Sequence, residues 1–213
     1  VVDIATGRLW EAAREPAAGF SGHVVFSRTE PDLVSWGTAN AWVAVVNVRT
    51  GKRVFAHRKV PGEFATHHCW WRKHQITFCG GFHPQPKEDA DVKSIDIRDG
   101  TVRIVGKGSW WPGATSEELA RENWWHSAGH EGGRWVAADN WHGDIGIFHG
   151  KTTRTYILTR NHRTYGKGRH PEVGWDRRGE QVIFASHQQG NVDVCVATIP
   201  EAWQKEWDAQ VSR

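Results

Sequence analysis

Four histidines stand at the head of short strand-like segments, and their spacing along the chain is nearly regular. The segments begin at His23 (HVVFSR), His68 (HCWWRK), His126 (HSAGHEGG) and His170 (HPEVGWDRRGE), and successive heads are 45, 58 and 44 residues apart. Self-similarity at a period of about 40–50 residues is typical of β-propellers, in which each repeat is one four-stranded blade. Because the innermost strand of every blade lines the central channel, the four histidines are predicted to converge at one end of it.

Hairpins recur between these heads, at residues 1–10, 43–57 and 92–106. Each reads as strand, turn and strand, and its Thr-Gly or Asp-Gly pair supplies the positive φ of a tight hairpin. The pattern predicts an all-β chain, a β-propeller of four-stranded antiparallel blades with about four to five blades present. An open arc would leave sheet edges unpaired, so the sequence is expected to be a fragment of a larger propeller that lacks N-terminal blades.

A single β-propeller domain, incomplete at its N-terminus, is predicted over residues 1–213. Two segments depart from the repeat. An insertion at residues 107–123 contains TSEE, a capping-box signature, so a short helix is expected over about Ser116–Asn123 beside the channel mouth. A second helix is expected at the end of the chain, over residues 200–213.

Composition limits the partners. The chain is 38% hydrophobic and 24% charged, with a formal net charge of +3. No run approaches the ~18 apolar residues of a membrane span, so no membrane is predicted as a partner. Acidic and basic residues are interspersed and no stretch is strongly basic, so no nucleic acid is predicted as a partner either. A cytoplasmic bacterial location is expected. The periplasm is the alternative, because a chain that begins at Val1 without methionine reads as a fragment or processed form, whose leader would not be seen. The oligomeric state is left open.

The metal prediction rests on the last two heads. Residues i and i+2 of an extended strand share a face, so His170 and Glu172 offer two ligands on one side. With His126 from the preceding blade they form a two-histidine, one-carboxylate set, which suits a divalent metal such as Mn²⁺. The alternative is that Glu172 pairs with a neighbouring arginine of the same loop.

Ligand-binding residues are expected in two places. The Gly-rich loop at residues 161–172 combines imidazole, phenol, cations and a carboxylate, which is typical of binding and catalytic loops; the alternative is a solvated connection. In the pairs Trp70-Trp71, Trp110-Trp111 and Trp124-Trp125, neighbours on a strand point to opposite faces, so one ring of each is predicted to be core and the other able to stack on a ligand. The candidate substrate-binding residues are Trp125, Trp141, His142, Lys167 and Arg169.

In their order, these segments resemble one known family. The runs GHVVFSRTEPDLVSW, THHCWWRKHQITFCGG, WWHSAGHEGGRWVAADN and RHPEVGWDRRGEQVIFAS are similar to the core of oligogalacturonate lyases, polysaccharide lyase family 22. The last run also resembles TolB-related, WD40-like propellers. The resemblance implies a seven-bladed propeller and a carbon–oxygen lyase of pectin degradation, which cleaves uronate oligomers by β-elimination with Mn²⁺ at the uronate carboxylate.

The resemblance implies roles for individual residues at matching positions of this chain. It implies His68 as the base that removes the C5 proton of the uronate, with His67 as the register alternative. It implies His126 and His170 as metal ligands. The chain departs from the family pattern at Glu172, where the family has a histidine.

A second departure is Lys167, which replaces a glutamine ligand of the family. A cation at the uronate carboxylate stabilises the enolate-like dianion formed on proton removal, and Lys167, Arg163 or Arg169 would supply it if the metal binds weakly. Tyr165 would protonate the leaving O4. The predicted catalytic residues are His68, Arg163 and Tyr165, and the predicted partner is an acidic oligosaccharide.

The alternative function is a non-catalytic propeller that binds a carbohydrate or a protein at the channel mouth. The missing second histidine at Glu172 favours this alternative. The density of His, Arg and Tyr over residues 161–172 favours the enzyme.

Overall fold

Four antiparallel sheets and two helices make up the part of the chain that the structure describes. The computed structural model describes residues 1–14, 20–38, 43–57, 61–82, 90–109, 112–162 and 170–211. The first sheet contains β1 (Phe20–Phe26), β2 (Leu33–Thr38), β3 (Val43–Asn47) and β4 (Arg53–His57); the second contains β5 (Glu63–Arg72), β6 (Gln75–Phe82), β7 (Asp91–Asp96) and β8 (Val102–Gly106). The third contains β9 (Trp124–Gly129), β10 (Trp135–Asn140), β11 (Ile145–His149) and β12 (Thr155–Thr159); the fourth contains β13 (Gly174–Trp175), β14 (Gln181–Ser186) and β15 (Asp193–Thr198).

Each sheet is a meander in which every strand pairs with the next along the chain. The predicted antiparallel blades are therefore confirmed, with three strands in the fourth sheet as described. His23 and His126 lie on the first strand of their sheets, as expected, whereas His170 precedes β13 in a segment that is not a strand.

The recurring hairpins share one turn. The backbone N–H of Gly51 donates to Asn47 (2.9 Å) and that of Gly100 to Asp96 (2.8 Å), and both glycines have a positive φ. Gly7 donates to Asp3 in the same way (2.8 Å), below a bridge that pairs the strands of residues 1–10. Glycine is the residue that adopts this conformation without steric cost, which explains why the turns could be read from the sequence.

Neighbouring sheets pack face to face because alternate side chains of a strand point to opposite faces. Val43 and Val45 of β3 pack against Trp70 of the second sheet, while Ala44 and Val46 face the first residues of the chain. The same alternation places one apolar layer between the second and third sheets and another between the third and fourth.

Trp70 and Trp71 are both buried, which corrects the expectation that one ring of each tryptophan pair is free for a ligand. The second sheet is covered on both faces, so each ring enters a different core layer. Trp71 lies against two glycines of the third sheet: a Cβ built on Gly129 or Gly150 would approach it to 2.4 Å. At the third pair, Trp124 is buried and Trp125 is partly exposed, as predicted. Trp110-Trp111 lies outside the described residues.

Both expected helices are present. α1 (Ser116–Glu122) begins with the capping box and packs on the turn between β10 and β11, where Ala120 accepts a hydrogen bond from the backbone of His142 (3.2 Å). α2 (Glu201–Val211) packs its Trp207 side chain against the third sheet. Among the described residues, no helix is both long and apolar enough to cross a membrane.

Candidate functional site

Four histidine rings from the four sheets lie in consecutive contact. The ring centroids of His23 and His67 are 4.6 Å apart, those of His67 and His126 are 3.9 Å apart, and those of His126 and His170 are 5.1 Å apart. We call these four residues the histidine cluster. One comes from each of the four repeats: His23, His67 and His126 lie on the first strand of a sheet, and His170 precedes the fourth sheet. The predicted convergence of repeated histidines therefore occurs, with His67 in the place of His68.

Irregularities in the strands set the orientation of two of these rings. His23 and His67 have left-handed φ angles of 54° and 49°, and both lie where the pairing with the next strand shifts register. Such bulges turn a side chain away from the regular alternation of a strand and are common at rims and functional sites. Because a non-glycine residue in this region of φ is strained, the surrounding fold must hold both rings in place.

His67, and not His68, belongs to the cluster. The His68 side chain is 5% exposed, its Nε2 is buried without a hydrogen-bond partner, and its ring lies 6.4 Å from that of His23. The His67 ring contacts those of His23 and His126, so the expectation that His67 packs between blades is wrong. The bulge after Thr66 is the physical reason, since it shifts the alternation by one residue. The catalytic role assigned to His68 is a separate matter and stays a prediction.

His126 is held by a buried carboxylate. Both carboxylate oxygens of Asp139 lie 2.9 Å from His126 Nδ1, and Oδ1 also accepts the backbone N–H of His126 (2.8 Å). Asp139 is fully buried, and His126 is 5% exposed. The other ring nitrogen, His126 Nε2, is buried and has no hydrogen-bond partner. This pattern, with one nitrogen held by a carboxylate and the other unused, is typical of metal-binding and general-base histidines.

The segment after the last head is not extended. Glu172 has a φ of 45° and an exposed side chain, so the premise that His170 and Glu172 share one face of a strand is wrong. Its backbone N–H donates to Asp139 Oδ2 (3.0 Å), which ties the segment to the third sheet. Burial, and then the neighbouring His126, lowers the pKa of His170, while Asp139 and Glu172 oppose this shift.

Among the described residues, no group of three or more His, Cys, Asp or Glu side chains is arranged to hold a metal ion. Two of the three predicted ligands still fit such an ion. The unused, buried Nε2 of His126 is a donor atom, and the His170 ring beside it is a second imidazole at a distance that one cation can bridge. The exposed Glu172 does not add a third ligand in this arrangement.

An aromatic pair borders the cluster. The rings of Trp125 and Trp141 are 4.1 Å apart; Trp125 lies 5.7 Å from His67, and Trp141 lies 6.3 Å from His170. Trp141 is 39% exposed, so the pair offers an accessible apolar face beside the imidazoles. Such a face suits the stacking of a sugar ring.

His142 lies against α1. Its side chain is buried, and Nδ1 is 3.5 Å from the carboxylate of Glu117. It therefore helps to hold α1 beside the mouth and makes no ring contact with the cluster among the contacts described. The remaining predicted site residues, Arg163, Tyr165, Lys167 and Arg169, lie outside the described residues.

Burial keeps two of the histidines uncharged at neutral pH. It lowers the pKa of His67 to about 3, with a further contribution from the neighbouring imidazoles of His126 and His23. It lowers the pKa of His68 to about 4, with His23 adding to the effect and the Ser35 hydrogen bond opposing it. A neutral imidazole has a lone pair that it can donate to a proton or a metal.

We expect stability to fall in acid because of His68. Its folded-state pKa is about 4 and its usual value is 6.5, so the unfolded chain binds more protons between these values. Above pH 6.5 the titration of His68 therefore does not lower the free energy of unfolding. As the pH drops from 6.5 towards 4, this one group lowers it by up to about 1.4 kcal/mol per pH unit. Urea denaturation of the wild type and of His68→Gln over this range tests it. Equal pH dependence in both proteins would contradict the assignment.

The comparisons with known proteins bear on the fold. No protein-family profile matches the chain, and no curated protein matches it. An oligogalacturonate lyase in complex with manganese superposes with a TM-score of 0.68 at 19% sequence identity, over 94% of this chain and 54% of that one. The oligogalacturonate lyase of Vibrio parahaemolyticus gives 0.67, with the same identity and coverage.

The fold is that of a β-propeller. The β-propeller domain of Cps50 (Swd1) from Myceliophteria thermophila also matches, with a TM-score of 0.52 at 14% identity over 84% of this chain and 52% of that domain's chain. The chain spans about half the length of the solved structures it matches. The predicted propeller fold is thus confirmed, and the likeness to oligogalacturonate lyases is one of structure at low identity.

Sequence reasoning missed or undervalued two residues of the site. His67 was predicted only as the register alternative to His68. Asp139 was visible only as part of a polar run, DNWHGD, that follows a strand. Its signal was a carboxylate inside an otherwise apolar strand, WVAAD, where an ionisable side chain needs a buried partner.

Proposed function

We propose that the histidine cluster binds the uronate unit of an acidic oligosaccharide and that the protein cleaves it by metal-assisted β-elimination. One observation carries the proposal: His126 is held through Nδ1 by Asp139, its buried Nε2 has no partner, and its ring lies beside the imidazoles of His67 and His170. An unused polar atom of this kind is costly unless a ligand binds it. The structural likeness to oligogalacturonate lyases supports the same chemistry.

The residues divide into a base and a carboxylate-binding group. His126 and His170 would hold the divalent cation, for which Mn²⁺ is the candidate, and the cation would neutralise the charge that develops on the uronate carboxylate. The neutral ring of His67, adjacent to His126, would accept the C5 proton. The C5–H electron pair then forms the C4–C5 double bond as the C4–O4 bond breaks.

The leaving O4 needs a proton and the sugar ring needs a surface. Tyr165 is the proposed donor, as the resemblance implies, and Lys167, Arg163 and Arg169 are proposed to add positive charge at the carboxylate. Trp141 and Trp125 would stack on the sugar ring. Neutral imidazoles together with the proposed cations suit an acidic ligand better than a neutral one.

Non-catalytic binding of an acidic carbohydrate at the same cluster is the second candidate. It is favoured by the absence of a three-residue metal group among the described residues and by the exposed, left-handed Glu172. In this case the imidazoles and tryptophans would bind the sugar, and no bond would break.

A panel of uronate oligomers tests both candidates. The full-length chain is incubated with Mn²⁺ and each oligomer, with a neutral oligosaccharide of equal length as the matched control, and the ultraviolet absorbance of the 4,5-unsaturated product is followed. We expect product only from a uronate and none from the His126→Ala variant. Calorimetric binding without product would support the second candidate, and no binding of any uronate would overturn both.

A further inference from the structure

Asp139 connects two blades at the site. Its Oδ1 accepts the backbone N–H of His126 (2.8 Å), both oxygens contact His126 Nδ1 (2.9 Å each), and Oδ2 accepts the backbone N–H of Glu172 (3.0 Å). We propose that Asp139 is a positioning residue, which fixes the Nδ1–H tautomer of His126 and holds this ring in register with the segment that carries His170. This inference rests on the proposed function for the use of a positioned His126, whereas the contacts of Asp139 are independent of that function.

The hydrogen-bond directions fix the tautomer. Both Asp139 oxygens already accept a backbone N–H, one from His126 and one from Glu172, so the carboxylate acts as an acceptor on every side. The ring nitrogen that faces it must then be the one that carries hydrogen. A neutral imidazole with hydrogen on Nδ1 has its lone pair on Nε2, the buried atom without a partner.

Burial makes this arrangement rigid. Asp139 is 0% exposed and lies at the end of β10, opposite His126 in the ladder with β9. The neighbouring segment is bound through its backbone, so the contact does not depend on which side chain Glu172 carries. The distance between the rings of His126 and His170, 5.1 Å, therefore depends on the Asp139 side chain.

The variant Asp139→Asn tests the tautomer. An asparagine side chain keeps the size but has one carbonyl oxygen and one N–H₂ group in place of two acceptor oxygens, so it cannot accept both backbone N–H groups and the ring N–H together. With the N–H₂ group toward Nδ1 the amide donates to this nitrogen, so we expect the Nε2–H tautomer of His126 to become populated. Nitrogen-15 NMR of the histidine rings reads this directly at neutral pH, and the His126 signal is assigned by its loss in His126→Gln.

Mn²⁺ affinity provides a second readout. Calorimetric titration with Mn²⁺ alone should show about a 10–100-fold weaker affinity in Asp139→Asn, which is typical of the loss of an outer-shell carboxylate. Asp144→Asn is the matched control: Asp144 is also buried, directly before β11, but among the contacts described it pairs with Arg160 and the backbone of Asn161 and with no cluster histidine. This variant should keep both the tautomer and the affinity.

The outcomes separate the two proposals. An unchanged tautomer in a folded Asp139→Asn variant would overturn the positioning role. If this variant does not fold, the wild type decides: a His126 ring with hydrogen on Nε2 and none on Nδ1 overturns the proposal, and a ring with hydrogen on Nδ1 supports it. A wild type that cleaves no uronate while His126 is in the Nδ1–H form would sink the proposed function and leave the inference intact.

Discussion

Replacement of His67 by alanine is expected to lower the turnover of a uronate oligomer by about 10²–10⁴-fold, the usual contribution of a positioned general base. Substrate affinity should change little, because the carboxylate is held by other residues. His68→Ala is expected to keep the turnover of the folded protein and to lower its thermal stability. The two neighbours differ because His67 contacts the His126 ring, whereas His68 is buried and makes its ring contact with His23.

Steady-state kinetics of both variants, each corrected for its folded fraction, measures the split between turnover and affinity. His67→Gln serves as the conservative control: it keeps a polar side chain of similar length without a basic nitrogen, so its turnover should also be low. If His68→Ala loses turnover and His67→Ala loses only stability, the base is His68, as the family resemblance implied. If both variants keep full turnover, neither histidine is the base.

The repeat could be read from the sequence because it is local. A histidine head, a strand and a glycine turn recur at similar distances, and the turns at Gly51 and Gly100 need a residue that adopts positive φ. The meander of strands follows from these turns, since adjacent antiparallel strands joined by tight turns pair with each other. The two helices likewise carry local signals, of which the capping box of α1 is the clearest.

Register could not be read in the same way. Alternation along a strand assigns His67 and His68 to opposite faces, but one extra residue in a bulge reverses the assignment. Nothing in the run ATHHCWW marks the bulge, because the strain of a left-handed histidine is offset by contacts with other sheets. The same holds for Glu172, whose left-handed φ ended the expected strand.

Asp139 shows a second limit of sequence reasoning. Its partners are 13 and 33 residues away along the chain, on the adjoining strand and in the next repeat. A carboxylate at the end of an apolar strand indicates that some buried donor must exist, yet the donor is defined only once the blades are packed. The site is thus predictable as a set of repeated positions and not as a set of contacts.

α2 and the third sheet form the most closely packed aromatic group described. Trp207 is fully buried, and its ring lies 3.4 Å from that of Trp135 and 4.7 Å from that of Tyr156. Glu206, the preceding residue, pairs with Arg154, which directly precedes β12. The helix therefore packs on this sheet with one large side chain against β10 and β12.

Trp207→Ala is expected to lower the free energy of unfolding by about 3–5 kcal/mol, because the removed ring leaves a cavity that the surrounding sheet cannot fill. Trp203→Ala on the same helix is the matched control, and its cost should be clearly smaller, since Trp203 is only partly buried and contacts Tyr156 at 5.1 Å. Chemical denaturation of both variants measures the difference. Equal losses would mean that α2 is held by its whole surface, and a loss below about 1 kcal/mol for Trp207→Ala would contradict the packing described, because a fully buried aromatic side chain contributes more than that by burial alone.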